Sequence, residues 1–227
     1  MTRTSASRPA VCGRAPDVAE NFQNSKDHKV RIDAILLAAG ESRRMGFPKP
    51  LLSIGDDTFI TRTLRLILPA VERVVIVLGA HADRIRAAIP ADARITIVEN
   101  SNYAAGQLSS LKIGLGALAP EASAAMVHLA DHPLVIGATY LAVAETYRRT
   151  GGPIVIARHA GRRGHPAIFD RSIFSELLAA SLSEGARAVV NATPTGIVYS
   201  DVDDPGVALD LDTPEDLARA GLMLPPR

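Results

Sequence analysis

The sequence predicts an α/β fold, a Rossmann-like three-layer α/β/α sandwich around a mostly parallel central sheet. Two observations carry that prediction. Short apolar, β-prone runs recur at 34–38, 74–78, 95–98, 126–129 and 154–157. Between them the period is helical: Ile60, Leu64, Ile67 and Leu68 fall on one helix face, as do Leu108, Leu111, Leu115 and Leu118. Strands apolar along their whole length need cover on both faces, and helices between successive strands supply it through βαβ units.

The chain of 227 residues suits one sizeable domain, taken as 31–227. Residues 1–30 are polar, lack sustained periodicity and end in Lys26-Asp27-His28-Lys29, so they read as a poorly ordered extension. Their Arg and Ser content resembles a transit peptide, but Asp17, Glu20 and Asp27 count against one. No apolar signal core precedes the domain and no run approaches a membrane span, so a cytoplasmic protein is expected. Lys and Arg total 25 against 24 Asp and Glu, a net charge of +1, which argues against nucleic acid or a membrane surface as partner. A single cysteine, Cys12, excludes an internal disulfide or a Cys-based metal site.

After Gly152 the alternation weakens. Runs at 154–157 and 167–169 flank the Gly- and Arg-rich stretch 159–165, which reads as a mobile loop between a strand and its return. Helical segments follow at 172–180 and 184–191, then strands at 197–201 and 207–211, then a helix from Thr213. Thr213 is the N-cap of that helix, with Pro214 at its first position and Asp216 completing a capping box.

The first strand runs into a loop dense in small and basic residues, Ala39-Gly40-Glu41-Ser42-Arg43-Arg44-Met45-Gly46-Phe47-Pro48-Lys49. Ligands of open α/β sheets sit beyond the carboxyl ends of strands, where small residues let backbone N–H groups approach an anion. Arg43, Arg44 and Lys49 concentrate positive charge in an otherwise neutral chain, which suits a triphosphate. Five residues separate Gly40 from Gly46, and Lys49 follows Phe47-Pro48, so this is not a Walker A loop; the dinucleotide fingerprint is absent too.

The pattern Leu37-Ala38-Ala39-Gly40-x-Ser42-x-Arg44-Met45-Gly46-x-Pro48-Lys49 resembles the signature of the MobA-like NTP transferases, in particular the molybdenum cofactor cytidylyltransferase branch. The resemblance implies a fold of the nucleotide-diphospho-sugar transferase type. It also implies a nucleotide site that includes Leu37, Ala38, Ala39, Gly40, Ser42, Arg44 and Lys49. Leu-Ala-Ala-Gly and Pro-Lys, in place of Leu-Ala-Gly-Gly and Asp-Lys, favour CTP over GTP within that resemblance.

Four further segments bear on the site. Strand 126–129 leads to Asp131-His132-Pro133, where Asp131 either caps the next turn or holds Mg²⁺ against phosphate oxygens. The resemblance implies the metal role and commonly has Gln where this chain has His132, which is not assigned to catalysis. Asp210 and Asp212 precede the last helix, and the resemblance implies that one completes the metal site, with Asp212 first and Asp210 in reserve. In the segment 100–110, Asn and Ser residues can cap the helix of leucines, while Gly106 allows close approach and Ser109 and Ser110 line the nucleotide pocket, as the resemblance implies; neither role excludes the other. Gly164-His165-Pro166 and Arg187 are similar to segments near the acceptor in the cytidylyltransferase branch, although the Gly-Asp that usually precedes the second is replaced by Ser181-Leu182-Ser183.

The expected reaction moves a nucleoside monophosphate from the triphosphate to a phosphomonoester, with Arg44, Lys49 and Asp131 catalytic. An anionic acceptor needs no Ser-His or Cys-His pair, and none at catalytic spacing is apparent. The resemblance points to the molybdenum cofactor as acceptor and to a molybdoenzyme or its maturation chaperone as a further partner. An aromatic content of 4% leaves few rings to stack a pterin. A sugar or polyol phosphate is the alternative acceptor, and a non-catalytic cofactor carrier with the same fold is the alternative outside enzymology.

Overall fold

The computed structural model describes Met1, 30–183 and 185–225. The expected extension, Cys12 and Glu184 lie outside these residues. In chain order the strands are β1 (Ile32–Ala38), β2 (Ser53–Ile54), β3 (Asp57–Thr58), β4 (Val74–Leu78), β5 (Ile95–Glu99), β6 (Ala124–Leu129), β7 (Ile154–His159), β8 (Arg162–Asp170) and β9 (Ile197–Asp201). The helices are α1 (Phe59–Ile67), α2 (Ala82–Ala88), α3 (Gln107–Gly116), α4 (Gly137–Thr150), α5 (Phe174–Ala179), α6 (Ala186–Ala192) and α7 (Pro214–Arg219).

Seven strands form one sheet in the order β5-β4-β1-β6-β8-β7-β9, and β2 with β3 makes a small hairpin. The pairs β1–β4, β1–β6, β4–β5 and β7–β9 are parallel, whereas β8 runs antiparallel to both β6 and β7. The mostly parallel α/β sandwich is therefore present. All seven residues of β1 are buried, as a central strand covered on both faces requires.

Alternation along β1 separates the two layers. Ile32, Ala34, Leu36 and Ala38 face a core shared with α1, α2 and α4 through Ile60, Leu64, Ile85, Tyr140 and Val143. Ile35 and Leu37 face the other core, built from Leu108, Leu111 and Leu115 of α3, Leu177 of α5 and Val189 of α6. A third, smaller cluster joins Met45, Leu52, Phe59, Leu211 and Leu217. It fastens the loop after β1 to the segment before α7.

Two expectations about local structure are corrected. Residues 159–165 are not a loop between strands but the inner ends of the β7–β8 hairpin, joined at Ala160 and Gly161. Both turn residues have positive φ, 47° and 80°, the turn whose twist matches its strands. Residues 207–211 are not a strand. Asp204 accepts from the Gly206 amide and starts a 3₁₀ turn over Pro205–Ala208. The next amides are spent elsewhere: Leu209 on Gly206, Leu211 on Asp131 and Asp212 on the Asp216 carboxylate. No ladder can form there.

The capping box at Thr213 and Asp216 is present as expected. Segment 172–180 becomes a 3₁₀ turn followed by α5, and α6 begins at Ala186 after Gly185, whose φ is 70°. Among the described residues no helix is long and apolar enough to cross a membrane.

Candidate active site

The parallel pairing of β1 with β6 sets Leu37 opposite Leu129, so the loop after β1 and Asp131 leave the same sheet edge. The Ala130 amide donates to the Leu37 carbonyl at 3.0 Å and extends that pairing by one step. Leu211 then donates to the Asp131 carbonyl at 2.9 Å, which brings Asp212 to the same place from the far end of the chain. The Asp212 amide is held in turn by the Asp216 carboxylate at 3.0 Å.

The loop is shaped around Ser42, which adopts a left-handed φ of 55°. Its carbonyl accepts from the Met45 and Gly46 amides, both at 3.1 Å. Its hydroxyl accepts the Lys49 amide at 3.0 Å. Met45 is buried beneath, so Arg44 faces outward and Lys49 inward.

The charged side chains meet in one cluster. Lys49 Nζ lies 2.8 Å from Asp131 Oδ2 and 2.7 Å from Asp212 Oδ1, and Arg44 lies 2.6 Å from Asp212 Oδ2. Burial works against the Lys49 ammonium, but the Asp131 and Asp212 carboxylates outweigh it and raise its pKa. Burial likewise works against the Asp212 carboxylate, and Lys49 and Arg44 outweigh it, so its pKa is lowered.

A cavity of about 340 Å³ opens beside this cluster. Leu37, Ala38, Ala39, Gly40, Ser42, Lys49, Gly106, Ser110 and Asp131 all line it, so nine of the sequence-predicted residues share one wall system. Gly79 lets two of the lining residues pack closely: a Cβ there would stand 2.7 Å from the Tyr103 Cβ and 2.8 Å from the Ala39 carbonyl oxygen. Arg44 and Asp212 join through the ion pairs.

Ser109 is placed differently. Its hydroxyl donates to the Gly106 carbonyl at 2.7 Å and accepts from Asn100 Nδ2 at 2.8 Å, inside the start of α3. Asn100 also donates to Ser110 at 3.0 Å, and its Oδ1 accepts the Asn102 amide. These contacts describe the helix-start role of Ser109. Asn100 is thus the common partner of both serines at the start of the helix.

A second cavity of about 420 Å³ adjoins the first, sharing Leu37, Gln107 and Leu129 with it. Gly164, His165 and Arg187 line it as a group, and so do His132, Arg163 and Asp210. Asp210 thus belongs to this cavity and Asp212 to the ion cluster. Gly164 has a steric reason: a Cβ there would fall 1.7 Å from the Val207 carbonyl oxygen.

On the wall of the second cavity the rings of His132 and His165 stand 5.0 Å apart, and the fully buried His128 lies 6.3 and 6.2 Å from them. Tyr140 Oη pairs with His128 Nε2 at 3.0 Å. Burial lowers the pKa of all three histidines, that of His165 to about 4, with His132 adding to the effect at His165. They are neutral imidazoles at neutral pH. His128 and Tyr140 were not legible as neighbours of the site because nothing local links β6 to α4.

The fit of these residues to a divalent cation can be tested on Asp131. Its Oδ1 is buried and has no hydrogen-bond partner, the arrangement of an oxygen left free for an ion. Among the described residues no group of three His, Cys, Asp or Glu converges on one point. Two carboxylates with the remaining positions left to phosphates and water is the donor set that Mg²⁺ favours.

Fold and site define a nucleotidyltransferase, and residues 34–197 match the MobA-like NTP transferase domain, so the chain belongs to that family. It is 27% identical to the molybdenum cofactor cytidylyltransferase of Escherichia coli K12, over 83% of this chain and 95% of that one. It is 30% identical to the molybdenum cofactor guanylyltransferase of Cereibacter sphaeroides, over 86% of this chain and 98% of that one. The crystal structure of Rv0371c from Mycobacterium tuberculosis superposes with a TM-score of 0.73 at 30% identity, covering 84% of this chain and 98% of that one. The same Mycobacterium protein has also been solved in complex with manganese, with a TM-score of 0.70.

Proposed function

We propose that this nucleotidyltransferase moves CMP from CTP to the phosphate of the molybdenum cofactor and releases pyrophosphate. The observation that carries the reading is the cluster of Arg44, Lys49, Asp131 and Asp212 at the edge of the cavity lined by the loop after β1. An acceptor phosphate oxygen attacks the α-phosphorus, the new P–O bond forms, and the α–β P–O bond breaks with its electron pair leaving on pyrophosphate.

Positioning and charge neutralisation then supply the catalysis. Asp131 and Asp212 would hold Mg²⁺, which would supply neutralisation of charge on the phosphate oxygens. Arg44 and Lys49 stabilise the charge that builds on the leaving pyrophosphate. Leu37, Ala38, Ala39, Gly40, Ser42, Gly106 and Ser110 enclose the nucleotide, and Asn100 holds Ser110 together with Ser109.

Two features favour this donor and acceptor. Ala39 lines the nucleotide cavity, and in the family resemblance alanine at this position in place of glycine goes with the smaller pyrimidine donor. The acceptor cavity is walled by Leu111, Val127, Ile156, Ala167, Phe169 and Val190, which suit a body with an apolar face better than a polyol. Gly164, His165 and Arg187 stand on its polar side. A molybdoenzyme or its maturation chaperone would receive the product.

The test is pyrophosphate release with CTP, GTP, UTP and ATP in turn, with molybdenum cofactor as acceptor. Release with CTP, lost in Asp131→Ala, is the expected result. Preference for GTP would overturn the cytidylyl assignment, and tight cofactor binding without release would indicate a carrier.

A further inference from the structure

We propose that Lys49 is an exchangeable counter-ion, which keeps a divalent cation off Asp131 and Asp212 until a nucleoside triphosphate draws the ammonium away. The proposal rests on the reading of these two aspartates as the metal carboxylates. It concerns the order in which the parts of the site are filled.

The geometry is specific. Lys49 takes one oxygen from each carboxylate, Asp131 Oδ2 at 2.8 Å and Asp212 Oδ1 at 2.7 Å. Arg44 takes the other oxygen of Asp212 at 2.6 Å. Only Asp131 Oδ1 is left without a partner. Two cations therefore face two carboxylates, and the cluster as a whole offers a free dication no net attraction.

A cation that entered alone would have to displace the ammonium. The Lys49 side chain is only 14% exposed, so the displaced charge would be left half-desolvated beside the incoming one. A triphosphate reverses this balance. It offers anionic oxygens to Lys49 and Arg44, and each contact they make with it releases a carboxylate oxygen. The exchange needs only side-chain motion, because the Lys49 amide stays bound to the Ser42 hydroxyl. Cation and nucleotide then bind with positive coupling, and Lys49 is the part exchanged.

The experiment measures Mn²⁺ binding without nucleotide, by the paramagnetic resonance signal of the free ion. The proteins are the full-length wild type, Lys49→Met and Arg44→Met. Each variant loses one positive charge and one contact with Asp212, but only Lys49 lies between the two carboxylates. Lys49→Met should bind Mn²⁺ about tenfold or more tightly than the wild type. Arg44→Met, which loses an exposed pair, should gain no more than about fivefold.

Adding Asp131→Asn to Lys49→Met should remove the gain. Lys49→Gln repeats the comparison if circular dichroism shows the Met variant misfolded. Equal gains in the two single variants, or a wild type that binds free Mn²⁺ as tightly as Lys49→Met, would overturn the exchange and leave the carboxylate assignment standing. Mn²⁺ binding that ignores Asp131→Asn would overturn the assignment itself, and the exchange with it.

Discussion

The amide of Leu211 donates to the carbonyl of Asp131 at 2.9 Å, and this bond aligns two carboxylates that the chain supplies from distant segments. Each charged group of the cluster has a buried anchor beside it. Leu211, next to Asp212, and Met45, next to Arg44, share one small apolar cluster with Leu52, Phe59 and Leu217. Apolar packing thus fixes the spacing of charges whose own attraction, in a partly solvated site, would leave them loosely placed.

Leu211→Ala tests that dependence. Truncating this buried leucine should cost about 2–5 kcal/mol by transfer and cavity terms, read as a lower urea midpoint. Because Asp212 shifts with its neighbour, kcat of the fully folded fraction should fall about ten- to a hundredfold. An unchanged kcat in folded protein would show that Asp212 keeps its place without Leu211.

Ser42 offers a sharper probe of the loop. Ser42→Ala removes the acceptor of the Lys49 amide and places alanine at a φ of 55°. The unmade bond should cost about 1–3 kcal/mol. Ser42→Gly tolerates the φ but still lacks the hydroxyl, so it should recover stability more than turnover. Recovery of both together would mean that backbone strain, and not the hydroxyl, explains the alanine variant.

The loop after β1 was legible because its residues are contiguous, and contiguity is what a sequence displays. The strands with apolar runs were legible for the same reason, including β1, β4 and β6. The return of β8 against β7 was legible from the Gly- and Arg-rich stretch between them, but its insertion between β6 and β7 was not, since nothing in Ala167, Ile168 and Phe169 names a second partner strand. Residues 207–211 look like a strand by apolar content, yet Asp204 and Pro205 divert the backbone before a ladder can form. Ser109 and Ser110 are adjacent and chemically alike. Asn100 bonds to both, and only the helical rotation between them leaves Ser110 on the cavity wall and Ser109 off it.

Gly164 gives a prediction for the second cavity. A methyl group there would overlap the Val207 carbonyl, so Gly164→Ala must push residues 205–208 off β8. The same displacement moves Asp210 and loosens the ring of His132, which borders Gly206. A loss of at least about 1–3 kcal/mol in stability is expected. Calorimetric titration should show acceptor affinity falling while CTP affinity changes little. Equal losses for both ligands would place Gly164 in the common scaffold alone.

The three histidines at that cavity give the protein a predicted weakness in acid. Burial lowers the folded-state pKa of His128, His132 and His165, the last to about 4 from an ordinary value of 6.5. Below pH 6.5 the unfolded chain therefore binds more protons at these sites than the folded one, and stability rises with pH across that window. On acidification, stability is complete above about 6.5, declines through the range between 6.5 and 4, and has lost the His165 contribution below about 4. Urea midpoints collected across this range should fall for the wild type more steeply than for His165→Gln, which carries no imidazole to protonate. Parallel slopes in the two proteins would mean that His165 titrates alike in the folded and unfolded chains.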